Sequence, residues 1–313
     1  MDEPFLQLND VTKKFGAFTA VDSVSFSVGG GTILGFLGPN GAGKTTIIRM
    51  VLDIFRPTTG HLSVLGKPSA LMVRDRIGYL PEEKGLYKKM KAWGIIAYFA
   101  TLKGMPRKAA KIRAYELLER YGLKDFADAK TESLSKGMGQ KVQVLASIAH
   151  DPDLVILDEP FSGLDPVNQQ VMEEIIIDMA GRRKTVIFST HVMQHAERLC
   201  NQIILINRGK KIFEGSVGEA KDLLPRTIRI DCNDSLESLE NLGAVDQLRR
   251  TEEEVGEDGK WLVQIKDGAN PQEILRFCVE QGLNIRSFES SDPSLHDVFV
   301  ELVGDGAKET LFR

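Results

Sequence analysis

The sequence has 313 residues, 42% of them hydrophobic and 27% charged, which is typical of a globular protein and leaves room for two domains. Charge is divided unevenly: the first 220 residues carry 29 basic and 24 acidic side chains, whereas the remainder carries 11 and 20. This asymmetry predicts a domain boundary near residue 220, and the small positive balance of the longer segment excludes the strongly basic surface of a nucleic-acid-binding protein.

Two antiparallel strands are predicted at the start of the chain. Residues 5–8 and 21–28 alternate apolar and polar side chains, which is the period of a half-buried strand. Phe15 and Phe18 lie between these runs, and a ring at either position could stack on an adenine base or belong to the core. The spacing alone favours neither residue and neither role.

The next strand, 32–37, leads into the segment on which the nucleotide prediction rests. Residues 38–46 fit the phosphate-loop pattern of Gly, four residues, Gly-Lys-Thr, and a helical period continues from there to Leu52. The three glycines let successive N–H groups turn toward a polyphosphate, and the helix N-terminus adds partial positive charge. We expect Lys44 to reach the β- and γ-phosphates and the Thr45 hydroxyl to ligate Mg²⁺. The predicted nucleotide-binding residues of this loop are Gly38, Pro39, Asn40, Gly41, Ala42, Gly43, Lys44, Thr45 and Thr46.

A helical insert interrupts the α/β pattern. Strands are predicted at 61–66 and from Ile77, and residues 86–150 then become helical in pattern. Breaks at 104–106 and 121–123, which contain Gly and Pro, divide this stretch into several helices. The pattern therefore predicts a predominantly helical segment placed inside an α/β core.

Two apolar runs end in polar residues suited to catalysis. Residues 154–157 are followed by Asp158 and Glu159, which indicates a buried parallel strand whose carboxyl end projects charge into a site. Asp158 is placed to hold the Mg²⁺ shell, directly or through water, and Glu159 to orient or deprotonate an attacking water. The run 185–190 has the same design and ends at His191, for which we favour a contact with the γ-phosphate.

The pattern changes again at residue 227. Alternating runs predict three strands, at 227–231, 261–265 and 285–288. Asn270, followed by a Pro at the first helical position and a Glu at the third, predicts a helix start, and a second helix is expected over 293–303. We predict a small α+β domain over residues 225–313 that serves as a regulatory or interaction surface.

The order of these motifs resembles that of the ABC (ATP-binding cassette) ATPases. The resemblance covers about residues 4–220 and implies an α/β phosphate-loop NTPase core with an antiparallel β subdomain and a helical insert, in an ATPase domain spanning residues 1–220. The motifs that carry it are the phosphate loop, Leu134-Ser135-x-Gly137, the strand ending in Asp158-Glu159, Ser162-Gly163-Leu164-Asp165, and His191.

The resemblance also implies roles for residues that spacing alone leaves unassigned. Phe15 matches the aromatic residue that stacks on the adenine of ATP, and Glu82 stands where the family usually places a Gln that touches Mg²⁺ and the attacking water. Ser135 and Gly137 match the signature loop that caps the ATP bound by the other subunit, and Asp165 matches the loop that links the two sites.

The chain departs from the family pattern at two places. Lys136 and Met138 replace a Gly and the Gln of the usual signature Leu-Ser-Gly-Gly-Gln. Glu82 exchanges an amide for an anion, which can still hold Mg²⁺ but repels phosphate, so slow turnover is expected.

The C-terminal segment looks like the accessory domain of exporter ATPases, including those of bacterial sodium-efflux systems. The longest apolar stretch, from Trp93 to Leu102, is too short to span a bilayer, so the family implies a separate integral membrane permease. Residues 1–10 are acidic and lack the basic start of a signal peptide, which predicts a cytoplasmic chain held peripherally at the membrane by that permease.

The predicted function is therefore an ATP-hydrolysing subunit of an ABC exporter that uses ATP and Mg²⁺. We expect a homodimer, or a pair with another ATPase subunit, closing head-to-tail around two ATP molecules. The alternative is a soluble ABC ATPase acting on a ribosome or a nucleic-acid machine, although such members usually carry two cassettes or a long coiled-coil insert. A phosphate-loop kinase is a third possibility, but it leaves Ser135, Asp165 and His191 unexplained.

Overall fold

The computed structural model of the protein describes residues 4–82, 85, 87, 89–250, 260–266 and 268–304. Backbone contacts divide them into two units, the first ending at Val217 and the second beginning at Gly218. Parts of two predicted segments lie outside the described residues: positions 86 and 88 of the helical insert, and 251–259, 267 and 305–313 of the C-terminal domain. Within the described part of the chain, every helix is too short or too polar to cross a membrane.

The first unit combines strands and helices in alternation. Its strands are β1 (Leu6–Phe15), β2 (Phe18–Val28), β3 (Ile33–Leu37), β4 (Thr59–Val64), β5 (Ile77–Leu80), β6 (Leu154–Asp158), β7 (Thr185–Thr190), β8 (Gln202–Asn207) and β9 (Lys210–Gly215). Its helices are α1 (Lys44–Val51), α2 (Ala92–Leu102), α3 (Arg107–Arg120), α4 (Lys136–Ile148), α5 (Pro166–Gly181) and α6 (Met193–Leu199). Short 3₁₀ segments lie at Ala70–Arg76, Lys124–Phe126 and Thr131–Ser133.

A six-stranded sheet forms the centre of this unit, in the order β5-β6-β7-β3-β8-β9. Neighbouring strands are parallel except β9, which pairs antiparallel with β8. Both faces are buried: Val155 and Leu157 face a core shared with α2 to α5, whereas Leu154 and Ile156 face a core shared with α1 and the small sheet. This double burial explains why the run is uniformly apolar and does not alternate.

A three-stranded antiparallel sheet, in the order β2-β1-β4, packs on the α1 side of the central sheet. Its first two strands are longer than the sequence pattern predicts, because they continue to a tight turn in which Phe15 pairs with Phe18. The register shifts between Leu8 and Val11 and again between Val11 and Lys13. These register shifts interrupt the alternation of apolar and polar side chains. The middle of the hairpin therefore lacks the two-residue period from which a strand is predicted.

The helical insert is formed by α2, α3 and α4, as predicted. Ile95 and Ile96 of α2, Ala114 of α3 and Leu145 of α4 are buried in one core. The fold class predicted for this unit, an α/β core with an antiparallel β subdomain and a helical insert, is confirmed. Because β3, β6 and β7 are parallel neighbours, the loops after them emerge at one edge of the sheet, and the site described below lies there.

The second unit is a four-stranded antiparallel sheet in the order β11-β12-β10-β13. The strands are β10 (Thr227–Cys232), β11 (Val245–Arg250), β12 (Lys260–Ile265) and β13 (Ile285–Ser291), and the helices are α7 (Val217–Lys221), which spans the boundary, α8 (Pro271–Glu280) and α9 (Leu295–Val303). As predicted, Asn270 caps α8, with its side chain accepting from the Gln272 N–H at 3.0 Å. Strand β11 is missing from the sequence prediction, because Val245 is its one fully buried residue and the pattern carries little apolar signal.

Candidate nucleotide site

The phosphate loop connects β3 to α1, and its glycines are required by close contacts. A Cβ at Gly38, where φ is +151°, would lie 2.1 Å from the carbonyl oxygen of Ile206. A Cβ at Gly43, where φ is +107°, would lie 2.7 Å from the carbonyl oxygen of Ala20. Gly43 is also the N-cap of α1 and gives it no side-chain cap, so the first N–H groups of the helix are left available to an anionic ligand.

Lys44 is the first residue of α1, and its side chain is only 6% exposed. Its Nζ donates to the carbonyl oxygens of Gly38 at 2.7 Å and Pro39 at 3.2 Å, and lies 3.6 Å from Glu159 Oε1. Burial lowers the pKa of the Lys44 ammonium, while the nearby Glu159 and Asp158 carboxylates oppose that shift. The phosphate loop therefore holds the buried Lys44 ammonium against its own backbone carbonyl oxygens.

Thr45 and Asp158 meet at the base of the loop. The Thr45 hydroxyl donates to Asp158 Oδ1 at 3.4 Å, and the Ser189 hydroxyl donates to the same oxygen at 2.5 Å. The second carboxylate oxygen, Asp158 Oδ2, is buried and has no hydrogen-bond partner among the described residues. A hydroxyl and a free carboxylate oxygen are the hard oxygen donors that Mg²⁺ takes when substrate phosphates complete its shell, so these residues fit that ion.

Glu159 follows β6 in the left-handed backbone region, with φ of 49°. Its two carboxylate oxygens have different neighbours: Oε1 faces Lys44, whereas Oε2 lies 3.0 Å from Nδ1 of His191. His191 comes directly after β7 and is half exposed. The carboxylate thus lies between the phosphate-loop lysine and the histidine, where it can accept a proton from, or orient, a water attacking a terminal phosphate.

A cavity of about 350 Å³ lies over the loop. It is lined by Phe18, Ala20, Asn40, Gly41, Ala42, Gly43, Lys44, Thr45, Thr46, Glu82 and Glu159. The structure thus brings Glu82 to the phosphate loop, where its charge also acts on Lys44.

The structure separates the two aromatic candidates for adenine stacking. Phe18, at 65% exposure, lines the cavity. Phe15 instead packs edge-on against Phe55, with ring centroids 5.5 Å apart, and the Lys13 ammonium lies 5.2 Å from its centroid. The Phe15 side chain is 45% exposed, and the resemblance-based role for Phe15 stays a prediction, while the geometry favours Phe18, the other candidate from the sequence.

Ser135, Gly137 and Asp165 form a second cluster, and none of them lines the cavity. Ser135 caps α4 by accepting from the Met138 N–H at 3.2 Å. Asp165 caps α5, accepting from the backbone N–H of Asn168 at 2.9 Å and from its side-chain amide at 2.6 Å. A Cβ at Gly137 would lie 2.3 Å from that amide nitrogen, so Gly137 lets the starts of α4 and α5 approach closely.

Two residues that organise these clusters, Ser189 and Asn168, are absent from the sequence predictions. Ser189 contacts both acidic residues of the site: it accepts from the backbone N–H of Glu159 at 2.9 Å and donates to the Asp158 carboxylate. The Asn168 side chain lies against Gly137 of the signature loop and donates to Asp165. A polar serine inside the buried run 185–190 is the one sequence signal that points to Ser189, whereas Asn168 has no distinguishing signal.

Two family models match the chain, over different segments. Residues 21–162 match the family model described as ABC transporter, and residues 215–303 match the one described as ATP-binding protein DrrA1-3-like, C-terminal domain. The chain is 39% identical to the ABC transporter ATP-binding protein YhaQ of Bacillus subtilis, over 96% of this chain and 98% of that protein. It is 37% identical to the Nod factor export ATP-binding protein I of Burkholderia orbicola, over 67% of this chain and 70% of that protein.

Among solved structures, the chain is similar to one described as an ATP-binding subunit of an ABC transporter. The TM-score is 0.65 at 27% identity, and the match covers 70% of this chain and 92% of the other.

Proposed function

The chain belongs to the ABC transporter ATP-binding family, whose members hydrolyse ATP to power transport, and on that basis we propose that it is the ATPase subunit of an exporter. In this proposal two such subunits close head-to-tail around two ATP molecules and drive a separate membrane permease. The observation that carries the catalytic part is the position of the Glu159 carboxylate between Lys44 and His191.

The proposed roles of the site residues follow from their contacts. Thr45 and Asp158 would hold Mg²⁺, which supplies positive charge to the phosphates when it is bound. Lys44 neutralises the β- and γ-phosphates, Glu159 orients or deprotonates the attacking water, and His191 steadies that carboxylate and reaches the γ-phosphate.

The proposed pairing of subunits is supported by the separation of the two clusters. Ser135, Gly137 and Asp165 carry the family's signature and linking motifs, yet the cavity over the phosphate loop is lined by other residues. These three residues then act on the ATP held by the other subunit. One chain would supply half of each of two sites.

A permease partner is supported by an aromatic patch on the insert, made of Tyr87, Tyr98 and Phe99. Their side chains are 55%, 42% and 37% exposed, and the Tyr98 ring lies 6.0 Å from that of Tyr87 and 5.7 Å from that of Phe99. Adjacent exposed aromatic rings are typical of protein interfaces. Docking through this patch would keep the subunit at the cytoplasmic face of the membrane, and the similarity to an export protein favours export as the direction.

The catalytic assignment is tested with Glu159→Gln, which keeps the shape of the side chain and removes its basicity. ATP affinity should be retained, and hydrolysis should slow by about 10²-fold or more, the scale of lost general-base catalysis. Glu116→Gln, an acid on the exposed side of α3, controls for the loss of a carboxylate. Turnover of the Glu159 variant within a factor of two of the unaltered protein would rule out the assignment.

The permease assignment is tested by photocrosslinking. p-Benzoylphenylalanine placed at Tyr98 should crosslink to a multi-span membrane protein in isolated membranes, whereas the same group at Ile112, exposed on α3, should not. If the protein sediments with membranes but the two positions give the same pattern, the patch is not the docking surface.

A further inference from the structure

Ser189 lies on β7 directly opposite Asp158 in the parallel register, and its residue is completely buried. Its hydroxyl acts as a hydrogen-bond donor to one acidic neighbour and as an acceptor from the other. It donates to Asp158 Oδ1 at 2.5 Å and accepts from the backbone N–H of Glu159 at 2.9 Å. One side chain therefore contacts consecutive residues with two different predicted functions.

The contact with Glu159 supports an unusual backbone conformation. A φ of 49° is rare for a residue with a long side chain and costs free energy unless the surroundings hold it. The N–H of Glu159 points to Ser189 and would otherwise be a buried donor without an acceptor. This conformation gives the carboxylate its place between Lys44 and His191.

The contact with Asp158 fixes the orientation of that carboxylate. Ser189 and Thr45 both donate to Oδ1, which leaves the buried Oδ2 without a partner among the described residues. Outer-shell hydrogen bonds of this kind orient a metal-binding carboxylate and raise its affinity for the ion. Without Ser189, Asp158 could rotate and Oδ1 would lose its shorter hydrogen bond.

We propose that Ser189 is a positioning residue that sets the metal-binding carboxylate of Asp158 and the catalytic carboxylate of Glu159 at the same time. The inference rests on the proposed function, because it takes the roles of those two acids from there. It predicts that removal of the Ser189 hydroxyl reduces the gain in ATP affinity that Mg²⁺ provides, which we call the Mg²⁺ coupling, and also slows hydrolysis.

The test measures ATP affinity by titration calorimetry with Mg²⁺ and with EDTA, alongside turnover. In EDTA the Ser189→Ala variant should bind ATP as the unaltered protein does. With Mg²⁺ its gain in affinity should be smaller by about 10-fold or more, the usual effect of an outer-shell contact, and turnover should fall by at least as much. Ser189→Thr keeps a hydroxyl on the same carbon and should restore the coupling.

Thr185→Val is the matched control at the other end of β7. The Thr185 hydroxyl is also buried and also uses both capacities, accepting from the Gly31 N–H at 3.0 Å and donating to the Gly29 carbonyl at 3.2 Å. Its loss should lower the thermal midpoint without changing the ratio of ATP affinities with and without Mg²⁺. A general weakening of the strand would affect both variants alike.

The outcomes separate this inference from the proposed function. If the unaltered protein does not bind or hydrolyse ATP, the proposed function fails. If it does both, but Ser189→Ala keeps the Mg²⁺ coupling and turnover within twofold, or folded Ser189→Thr loses as much as Ser189→Ala, the positioning role is overturned. Should the alanine variant not fold, Ser189→Cys, which keeps the shape with a weak donor, replaces it under the same criteria.

Discussion

The imidazole of His195 makes the stability of the first unit depend on pH. It lies on α6, is 5% exposed and stacks on Phe161 with ring centroids 4.1 Å apart. Burial lowers the pKa of His195 to about 4, and the charges of Arg198 and His191 act in the same direction. The Glu173 carboxylate lies 3.8 Å from Nδ1 and attracts a proton, but Arg198 already pairs with it at 3.3 Å.

The sign and size of the effect follow from linkage. In the unfolded chain a histidine has a pKa of about 6.5, so below that pH the unfolded state binds a proton that the folded state does not. The free energy of unfolding therefore falls as the pH drops from 6.5 toward 4. Each pH unit contributes about 1.4 kcal/mol, which gives about 2 kcal/mol at pH 5.

His195→Phe keeps an aromatic ring on Phe161 and removes the titration. The decrease in unfolding free energy between pH 7 and pH 5 should be about 2 kcal/mol smaller in the variant than in the unaltered protein. Urea unfolding followed by Trp93 fluorescence measures this, in a Trp261→Phe background, because Trp93 belongs to the same unit as His195 and Trp261 to the other. Burial also lowers the pKa of His150 to about 4, but His150 is present in both proteins, so its contribution cancels from the difference between them.

Equal decreases in the two proteins would refute the reasoning. A direct check is the titration of the His195 ring in the folded protein by NMR. A midpoint near 6.5 would mean that the buried imidazole accepts its proton without penalty.

The remaining predictions concern nucleotide binding and subunit pairing. Lys44→Ala removes a buried cation from the loop, so the ATP dissociation constant should rise by about 10- to 100-fold, the scale of a charged hydrogen bond, and an unchanged constant in calorimetry would contradict the role. Mixing Lys44→Ala subunits with Ser135→Arg subunits should restore part of the activity that each lacks alone, because one of the two shared sites then carries neither lesion. Crosslinking between cysteines placed at Asn40 of one subunit and at Lys136, the exposed neighbour of Gly137, of the other, with ATP present, checks the pairing geometry, and its absence would end the shared-site arrangement.

The sequence was most informative where local spacing and burial act together. The apolar run 154–157, which leads into Asp158, predicted both a central strand and the edge where acids would project, because a strand buried on two faces is apolar throughout and does not alternate. The phosphate loop was equally easy to predict. Gly38 and Gly43 lie so close to neighbouring backbone that a side chain at either position would clash, so the glycines of the pattern are required.

Features that depend on distant partners could not be predicted. Phe15 and Phe18 are equivalent in spacing, and what separates them is a contact with Phe55, 40 positions from Phe15. Ser189 looks like a small strand residue until β6 places Asp158 beside it, 31 positions away in sequence. The roles of such residues are set by tertiary neighbours, about which a periodic pattern carries no information.

The position of β3 between β7 and β8 has a consequence for how the chain folds during synthesis. The strand that leads into the phosphate loop is held by the Asn201 side chain, 168 positions later, and by backbone pairing with Val186 and its neighbours. A ribosome delivers the loop and α1 long before either flanking strand exists, and contacts of such separation form slowly. We therefore expect ATP to be captured only after the last strands of the first unit have been made, so that acquisition of nucleotide binding by a growing chain would report completion of this unit.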